Sequence, residues 1–308
     1  MSRFLVFTLL AIFIGCGKSD QTGKSEAGAA GGTSIPARIV VIGPSTAETL
    51  LELGLRERIA AVSDFCLDPR ADGLPRIGGQ FDPNLERITA LNPDLVIVQG
   101  GNPKVRSLCS QLNIRFLSFQ TDSLNGWFDE VRELSKLFEA EEAGDEILNS
   151  FQTEIAQFKE AASEQRPGVA IVISRDGARS MIAVGSGSFL HELLEIAGGR
   201  NVFASNEHSY FDLAEEALLQ AAPELLFDLS AMAISPEISV DSIHSQKGSA
   251  QPAAANTKDP FLALRKAYPQ LPAVKRNQLY ALNQDYVFLP GPRMLMTLRT
   301  FRNQLIAE

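Results

Sequence analysis

The sequence EEAGDEILNSFQTEIAQFKEAASE, at residues 141–164, decides the fold of this chain. Its apolar residues recur at helical spacing among charged and polar ones: Ile147, Phe151, Ile155 and Phe158. This pattern predicts one amphipathic helix, and Pro167 and Gly168 close its far end. A helix of about 23 residues spans roughly 35 Å. We therefore expect a rod that joins two lobes.

Alternating strand and helix patterns lie on both sides of this rod. They divide the chain into an N-terminal α/β lobe at residues 36–138, the linking helix at 139–165, and a C-terminal α/β lobe at 166–308. Residues 231–259, rich in Ser, Ala and Gln, predict an exposed insertion in the second lobe. Strand, helix, strand predicts parallel pairing, and we expect the second lobe to repeat the plan of the first. The pattern in this lobe predicts a helix at residues 213–222 and a closing helix at 291–308.

Two short stretches recur in both lobes and in the same order. LERITALNPD at residues 85–94 aligns with EEALLQAAPE at 215–224, and LLEL at 50–53 aligns with LLEI at 193–196. The first alignment places Glu86 and Glu216 in register, each near the start of a predicted helix. Two matches in one order favour two related lobes that face one another.

The N-terminus carries the pattern of a lipoprotein signal peptide at residues 1–15. Arg3 precedes an apolar run that is too short to span a bilayer. The run ends in FIGC at residues 13–16, which resembles a lipobox and predicts acylation of Cys16. An ordinary secretory peptide with an incidental cysteine is the alternative. Residues 16–35, dominated by Gly, Ala, Ser and Thr, predict a flexible tether.

Charge and cysteine content narrow the function. Removing residues 1–15 takes away Arg3 and no acid, which leaves 27 basic and 37 acidic residues and a formal charge of −10. An acidic chain without basic clusters argues against nucleic acid as a partner. Cys66 and Cys109 fit neither a zinc site nor a dense disulfide framework. Their pairing in an exported protein is left open.

No arrangement of residues marks a catalytic centre. The Gly-Ser segment at residues 185–188 has the frame of neither a nucleophile elbow nor a phosphate loop, and no pair of carboxylates is marked for acid–base work. The three histidines are scattered, which does not support a three-histidine metal site: His191, His208 and His244. His208, close to Tyr210, remains a candidate contact for a metal centre in a ligand. We expect no enzyme, no resident metal and no cofactor.

Nine motifs in order resemble one family, the solute-binding lipoproteins of ABC importers for cobalamin, haem and iron-siderophores. They are PSTAE at 44–48, VSDFC at 62–66, PRIGG at 75–79, PNLE at 83–86, PDLVI at 93–97, GSFLHELL at 187–194, GGRNV at 198–202, LPAV at 271–274 and PGPR at 290–293. The resemblance implies two Rossmann-like α/β lobes joined by a single long backbone helix, the helical-backbone periplasmic-binding-protein fold, with little closure.

The same resemblance implies the ligand and its contacts. Phe65 and Tyr210 align with aromatic residues that hold the corrin ring from opposite lobes, whereas Gln80 and Gln99 replace tryptophans. Apart from the resemblance, the position of Arg175 just beyond a strand end indicates either a bidentate contact with a ligand carboxylate or phosphate, or a surface ion pair. We expect a metal-chelate, first a cobalamin-type corrinoid, with haem or a ferric siderophore as alternatives.

It also implies the partners. Glu86 and Glu216 would meet arginines on an ABC permease dimer that carries ATPase subunits, although both acids also suit helix starts. The chain would be a monomer, lipid-anchored at Cys16 on the periplasmic or cell-surface side of a bacterial membrane. We expect the sole tryptophan, Trp127, to pack in the core and Arg293 to order the final loop. A hydrolase-like enzyme and a sensor lipoprotein are the alternatives from other classes.

Overall fold

The computed structural model describes residues 34–161, 165–178, 180–230 and 259–306. The predicted signal peptide, Cys16, nearly all of the tether and nearly all of the insertion lie outside the described residues. The described helices are α1 (Pro44–Glu52), α2 (Leu85–Ala90), α3 (Pro103–Leu112), α4 (Leu124–Leu137), α5 (Glu141–Glu160), α6 (Phe189–Ala197), α7 (Glu215–Ala221), α8 (Leu262–Ala267), α9 (Pro272–Lys275) and α10 (Met294–Leu305). Two short 3-10 helices cover Arg56–Arg58 and Pro69–Ala71.

The N-terminal lobe contains a four-stranded parallel sheet. Its strands are β1 (Ile39–Ile42), β2 (Ile59–Val62), β3 (Leu95–Gln99) and β4 (Arg115–Phe119), in the order β2-β1-β3-β4. Strand β1 reads Ile-Val-Val-Ile and is buried along its whole length. A continuous apolar run is what a parallel strand covered on both faces requires. The predicted strand-helix-strand unit in this lobe is confirmed.

The C-terminal lobe contains a six-stranded mixed sheet. Its strands are β5 (Gly168–Asp176), β6 (Ser180–Val184), β7 (Arg200–Asn201), β8 (Tyr210–Leu213), β9 (Leu225–Asp228) and β10 (Leu279–Ala281). The order is β10-β9-β5-β6-β8, and β7 pairs with β5 off this path. Strand β6 runs antiparallel to both β5 and β8. The second lobe therefore repeats the plan of the first only in part, which corrects the sequence prediction.

Three predicted boundaries need correction. Leu213, predicted to begin a helix, ends strand β8, and α7 begins at Glu215. The closing helix, predicted from Gly291, begins at Met294 after the turn that contains Pro292. The linking helix, predicted over residues 141–164, is α5, which ends at Glu160 with Ala161 as its C-cap.

Helix α5 contacts the cores of both lobes. Its buried Leu148, Phe151 and Ile155 belong to the main C-terminal core, and Ile147 packs against this core and against the N-terminal core. At about 1.5 Å per residue its 20 residues span about 30 Å. Gly144 lies where α4 crosses α5, because a Cβ there would be 2.6 Å from Ser135 Cβ. The predicted rod between two lobes is confirmed.

Helix α4 also contributes to both cores. Leu134 packs in the N-terminal core, whereas Trp127 and Phe128 pack with C-terminal residues and stack against Phe151. Trp127 is fully buried, and its Nε1 donates a hydrogen bond of 3.0 Å to Thr49 Oγ1 on α1. The packing role expected for Trp127 is confirmed.

Candidate functional site

The candidate site lies between the lobes, where loops at the carboxyl ends of strands meet. In parallel α/β sheets, ligands bind at that edge. The loop after β1 carries Ser45, whose Oγ donates a hydrogen bond of 2.5 Å to the carbonyl of Pro290 in the other lobe. Two surface grooves lie elsewhere. One is between α5 and α10, and the other is between α4, α5 and α6. The contact between Ser45 and Pro290 is buried and joins the lobes, and we take it as the base of the candidate cleft.

The structure brings together three predicted site residues in the N-terminal lobe, namely Phe65, Gln80 and Gln99. All three are half-buried. Gln80 Nε2 donates a hydrogen bond of 3.1 Å to the Gln99 carbonyl. A Cβ placed on Gly79 would be 3.9 Å from the Phe65 ring, so the ring lies beside the residue that precedes Gln80. Together they form a wall with one aromatic face and two amide groups.

Side-chain hydrogen bonds hold Gln99 in place. Its Oε1 accepts a hydrogen bond of 3.3 Å from the backbone N–H of Ser45, and its Nε2 donates one of 3.4 Å to Thr121 Oγ1. Gly43 makes this approach possible, because its φ is +134° and a Cβ there would be 2.3 Å from Gln99 Cβ. The Gln99 amide is therefore fixed by bonds within the lobe before any ligand arrives.

Tyr210 supplies the aromatic group of the C-terminal lobe. It begins strand β8, opposite Val184, and its ring is half-buried. Ser188 Oγ donates a hydrogen bond of 3.4 Å to the Tyr210 hydroxyl. Burial raises the pKa of Tyr210 to about 12, and the carboxylate of Asp122, in the N-terminal lobe, acts in the same direction. Tyr210 is thus a neutral phenol close to the boundary between the lobes.

Arg175 is engaged in an ion pair. Its Nε donates to Asp228 Oδ2 at 2.5 Å, and the two side chains are 11% and 3% exposed. The remaining donors bond the carbonyls of Gly177, at 3.2 Å, and Pro260, at 2.6 Å. Of the two sequence alternatives, this geometry favours the ion pair. That pair is buried, whereas the sequence suggested one at the surface.

Glu86 and Glu216 lie in equivalent places. Each is exposed and is the second residue of a short helix, α2 or α7. Neither is the cap residue of its helix. Asn84 caps α2 by accepting a hydrogen bond of 2.9 Å from the N–H of Arg87, and no side chain caps α7. Both carboxylates are therefore directed to solvent from matching positions.

The described histidines and cysteines form no metal site. The Nδ1 atom of His191 is 3.4 Å from the Nδ2 atom of Asn201. His208 is exposed, and His244 lies outside the described residues. Nowhere in the described part of the chain do three His, Cys, Asp or Glu side chains gather as metal ligands. Cys66 and Cys109 are both buried free thiols, in different core clusters.

Sequence reasoning missed a set of buried polar residues on α1. Each of them is 0% exposed: Ser45, Thr46, Glu48 and Thr49. Glu48 accepts from Arg293 Nε at 3.0 Å and from Arg293 Nη2, across the boundary between the lobes. Arg293 was expected only to order the final loop. The signal in the sequence was a polar run in a helix that follows a fully apolar strand.

A buried carboxyl group on α4 also lies close to α1, near the Thr46 hydroxyl. Glu130, on α4, is 0% exposed, and neither of its oxygens has a hydrogen bond of normal geometry among the described residues. Burial raises its pKa to about 8, against the opposing effect of the Thr46 hydroxyl. Glu130 is therefore a neutral acid over most of the physiological range.

The fold and the site define an α/β binding protein with two lobes, and the chain belongs to the periplasmic binding protein family. The model of that family matches residues 39–286. The vitamin B12-binding protein of Vibrio cholerae serotype O1 is 25% identical over 261 residues, which cover 84% of this chain and 85% of that protein.

Solved structures share the fold. The periplasmic vitamin B12 binding protein BtuF of Vibrio cholerae has a TM-score of 0.67 at 24% identity, over 88% of this chain and 97% of that one. The periplasmic heme binding protein HutB of the same species has a TM-score of 0.71 at 17% identity, over 87% and 98%. The fold class predicted from sequence is confirmed. Within the part of the chain that the structure describes, no helix is long and apolar enough to cross a membrane.

Proposed function

We propose that this chain is the extracytoplasmic substrate-binding component of an ABC importer, and that it holds a cobalamin-type corrinoid between its lobes. The observation that carries the proposal is the pair of half-buried aromatics, Phe65 and Tyr210, which come from opposite lobes, with Phe65 next to the segment that carries Gln80. Aromatic faces suit a large planar macrocycle, and the amides of Gln80 and Gln99 suit its peripheral polar groups. Relatives named as vitamin B12-binding proteins support this ligand.

The central experiment measures binding of cyanocobalamin, hemin and ferrichrome to the purified protein by calorimetry. Cyanocobalamin should bind most tightly. Phe65→Ala and Tyr210→Ala should each weaken binding by about 2 kcal/mol, or about 30-fold, because a buried aromatic at the centre of an interface contributes on that order. Phe158→Ala removes a half-buried aromatic from α5 and should leave affinity unchanged.

Each outcome separates the alternatives. Tighter binding of hemin or ferrichrome would replace the corrinoid by haem or a ferric siderophore within the same importer class. Unchanged affinity in both alanine variants of the folded protein would move the site away from Phe65 and Tyr210. Turnover of a ligand in place of stable binding would favour a hydrolase. Tight binding that signals to a membrane partner without uptake would favour a sensor lipoprotein.

The exposed carboxylates of Glu86 and Glu216 would dock the two lobes on the two subunits of a permease. Rim charges act mainly on encounter and register. Glu86→Arg combined with Glu216→Arg should therefore keep ligand affinity and abolish stimulation of the ATPase in reconstituted permease. Glu142→Arg, an exposed acid on α5, is the matched control. Uptake at the parental rate in the double variant would show that Glu86 and Glu216 do not dock the permease and serve only as acids near helix starts.

Acylation of Cys16 would hold the protein, as a monomer, on the periplasmic or cell-surface side of a bacterial membrane. More than one acyl chain is needed for firm anchoring, which a diacylated cysteine provides. The parent should fractionate with membranes, and Cys16→Ser should release it into the soluble fraction. A Cys16→Ser variant that stays bound to membranes would identify an ordinary signal peptide with an incidental cysteine.

A further inference from the structure

A charged pair closes the boundary between the lobes at the base of the cleft. Glu48, on α1, is 0% exposed, and Arg293, just before α10, has a side chain that is 21% exposed. Arg293 reaches Glu48 through two parallel hydrogen bonds, from Nε and from Nη2. Its third nitrogen, Nη1, donates to Asp285 Oδ2 at 2.7 Å within the C-terminal lobe. One lobe thus orients the guanidinium, and the other lobe supplies its main acceptor.

This pair lies next to the residues that form the cleft. Ser45 and Glu48 are three residues apart on α1 and so share one face of the helix. Ser45 Oγ donates a hydrogen bond to the Pro290 carbonyl. A Cβ on Gly291 would be only 3.1 Å from Ser45 Oγ. The N–H of Ser45 in turn bonds Gln99. The segment 290–293 is therefore fitted against the start of α1, one hydrogen bond from the candidate ligand wall.

We propose that Glu48, Arg293 and Ser45 form a clamp that sets the width of the cleft, and so positions Gln99 and Phe65 at a fixed distance from Tyr210. This inference rests on the proposed function, since it assigns the clamp to the same cleft. None of the three residues needs to touch the ligand. They are positioning residues that act through the loops they join.

The energetics of burial explain why such a clamp resists opening. Two charges removed from water are stable only while they remain paired and hydrogen-bonded. Burial raises the pKa of Glu48, the Arg293 hydrogen bonds oppose that rise, and the carboxylates of Asp68 and Asp285 add to it. Separating the lobes at this point would move Arg293 and Asp285 away together and would leave the Glu48 carboxylate near Asp68 and without its cation. The clamp therefore favours one width of the cleft.

The boundary has a second attachment on its other side. The N–H of Phe189, on α6, donates a hydrogen bond of 2.7 Å to the Asp122 carbonyl, and Glu192 Oε2 accepts one of 3.0 Å from the N–H of Leu124. Helices α4 and α5 also pack against both lobes, and the clamp differs from these attachments in that its Glu48–Arg293 part joins two charged side chains.

The test measures the distance between the lobes without any ligand. Spin labels are placed on Gln111→Cys and Gln220→Cys, exposed residues of different lobes, in a Cys16→Ser background. The two native thiols that the structure describes, Cys66 and Cys109, are buried, which limits their labelling. In the parent, double electron–electron resonance should give one narrow distance distribution. Glu48→Gln combined with Arg293→Gln should broaden it. Arg299→Gln on α10, which removes a partly exposed pair with Glu154 on α5, should leave it narrow.

A kinetic measurement connects the distance to binding. Cyanocobalamin should dissociate about tenfold faster from the clamp double variant than from the parent or from Arg299→Gln. If the double variant fails to fold, Arg293→Lys replaces it, since Lys keeps the charge and loses the parallel hydrogen bonds. An unchanged, narrow distribution in the folded clamp variant would overturn the proposal. Failure of the parent to bind cyanocobalamin would instead overturn the proposed ligand and leave the distance test valid.

Discussion

The two lobes share a strand order but differ in the direction of one strand. In the N-terminal lobe the order is β2-β1-β3-β4, and in the C-terminal lobe the corresponding four strands lie as β6-β5-β9-β10. Strand β2 is parallel to β1, whereas β6 is antiparallel to β5. The cause is the connection. Helix α1 carries the chain from β1 to β2, but a turn containing Gly177 joins β5 directly to β6.

This difference gives the two walls of the cleft different supports. In the N-terminal lobe, Phe65 and Gln80 lie in the loop after β2, and Gln99 ends β3. The Gln80 amide bonds the Gln99 main-chain carbonyl, and the Gln99 side chain accepts from the Ser45 N–H. In the C-terminal lobe, Tyr210 lies on an added antiparallel strand, and close backbone contacts hold that strand beside β6. One wall is therefore held by side-chain hydrogen bonds, and the other is held by backbone contacts.

The largest expected difference between the lobes concerns their arginine–aspartate pairs. Arg175→Met leaves Asp228 buried without its cation and should lower the free energy of unfolding by about 3 to 5 kcal/mol. Arg132→Met breaks the pair with Asp129 in the N-terminal lobe, where the two side chains are 53% and 66% exposed, and should lower it by less than about 1 kcal/mol. Urea unfolding of both variants measures the two values.

Affinity decides whether Arg175 has a second role. The folded Arg175→Met variant should bind cyanocobalamin as the parent does, because the donors of Arg175 are directed to Asp228, Gly177 and Pro260. A loss of affinity in a variant of normal stability would restore Arg175 as a ligand contact.

The second-largest expected effect is a pH dependence of stability that comes from Glu130. It compares the polar residues near α1 with the apolar packing of the C-terminal lobe. The pKa of Glu130 lies at about 8 in the folded protein, above the ordinary value of 4.5, so the folded state retains a proton that the unfolded state has lost. The stabilising contribution is complete below about pH 4.5 and is lost as pH rises through 8. Between roughly pH 5.5 and 8 the free energy of unfolding should fall by on the order of 3 kcal/mol from this group alone.

Glu130→Gln should remove that slope, since the amide stays neutral at every pH. Urea unfolding at several pH values measures it, and Glu142→Gln, an exposed acid on α5, is the control. A Glu130→Gln variant with the pH dependence of the parent would show that the carboxyl is already ionised in the folded state.

The sequence predicted what depends on local pattern. Apolar periodicity gave α5, and the repeated helix-Pro-strand unit gave α2 with β3 and α7 with β9, which lie beside the equivalent strands β1 and β5. The reversal of β6 and the addition of β8 could not be predicted, because strand direction follows from tertiary pairing. A four-residue strand such as Tyr210–Leu213 has too few residues for a clear period.

Site residues followed the same division. Placing Phe65, Gln80 and Gln99 on one wall follows from the family motifs and the ends of parallel strands. The pairing of Glu48 with Arg293 joins residues 245 positions apart, and no local pattern specifies it. The Arg175 pair was one of two alternatives because a sequence shows that an arginine follows a strand but does not show which carboxylate lies opposite.

The third effect tests the backbone support of the C-terminal wall. A Cβ on Gly185 would be 2.2 Å from the His208 carbonyl oxygen, so Gly185→Ala must displace the segment that leads into Tyr210. We expect a loss of about 2 kcal/mol in stability, typical of overpacking, and weaker binding of cyanocobalamin. Gly101→Ala, in the N-terminal lobe, meets nothing within 4 Å and should change neither. Equal effects at the two glycines would contradict the difference between the walls.

The smallest effect concerns Trp127, which connects the lobes without lining the cleft. Trp127→Phe keeps an aromatic ring beside Phe128 and Phe151 but removes the hydrogen bond to Thr49. Thr49 Oγ1 still donates to the Ser45 carbonyl at 3.1 Å, so its hydroxyl keeps a partner. The free energy of unfolding should therefore fall by only about 1 kcal/mol, the usual net value of one hydrogen bond.

Cyanocobalamin affinity should stay at the parental value, because a side chain with no exposed surface has no face to offer a ligand. Calorimetric binding and urea unfolding of the same preparation measure both quantities, and Trp127→Ala, with an expected loss of about 4 kcal/mol, shows the size of the packing contribution. An affinity that falls tenfold in Trp127→Phe while stability holds would place this ring at the ligand and would require the lobes to open where α4 meets α1.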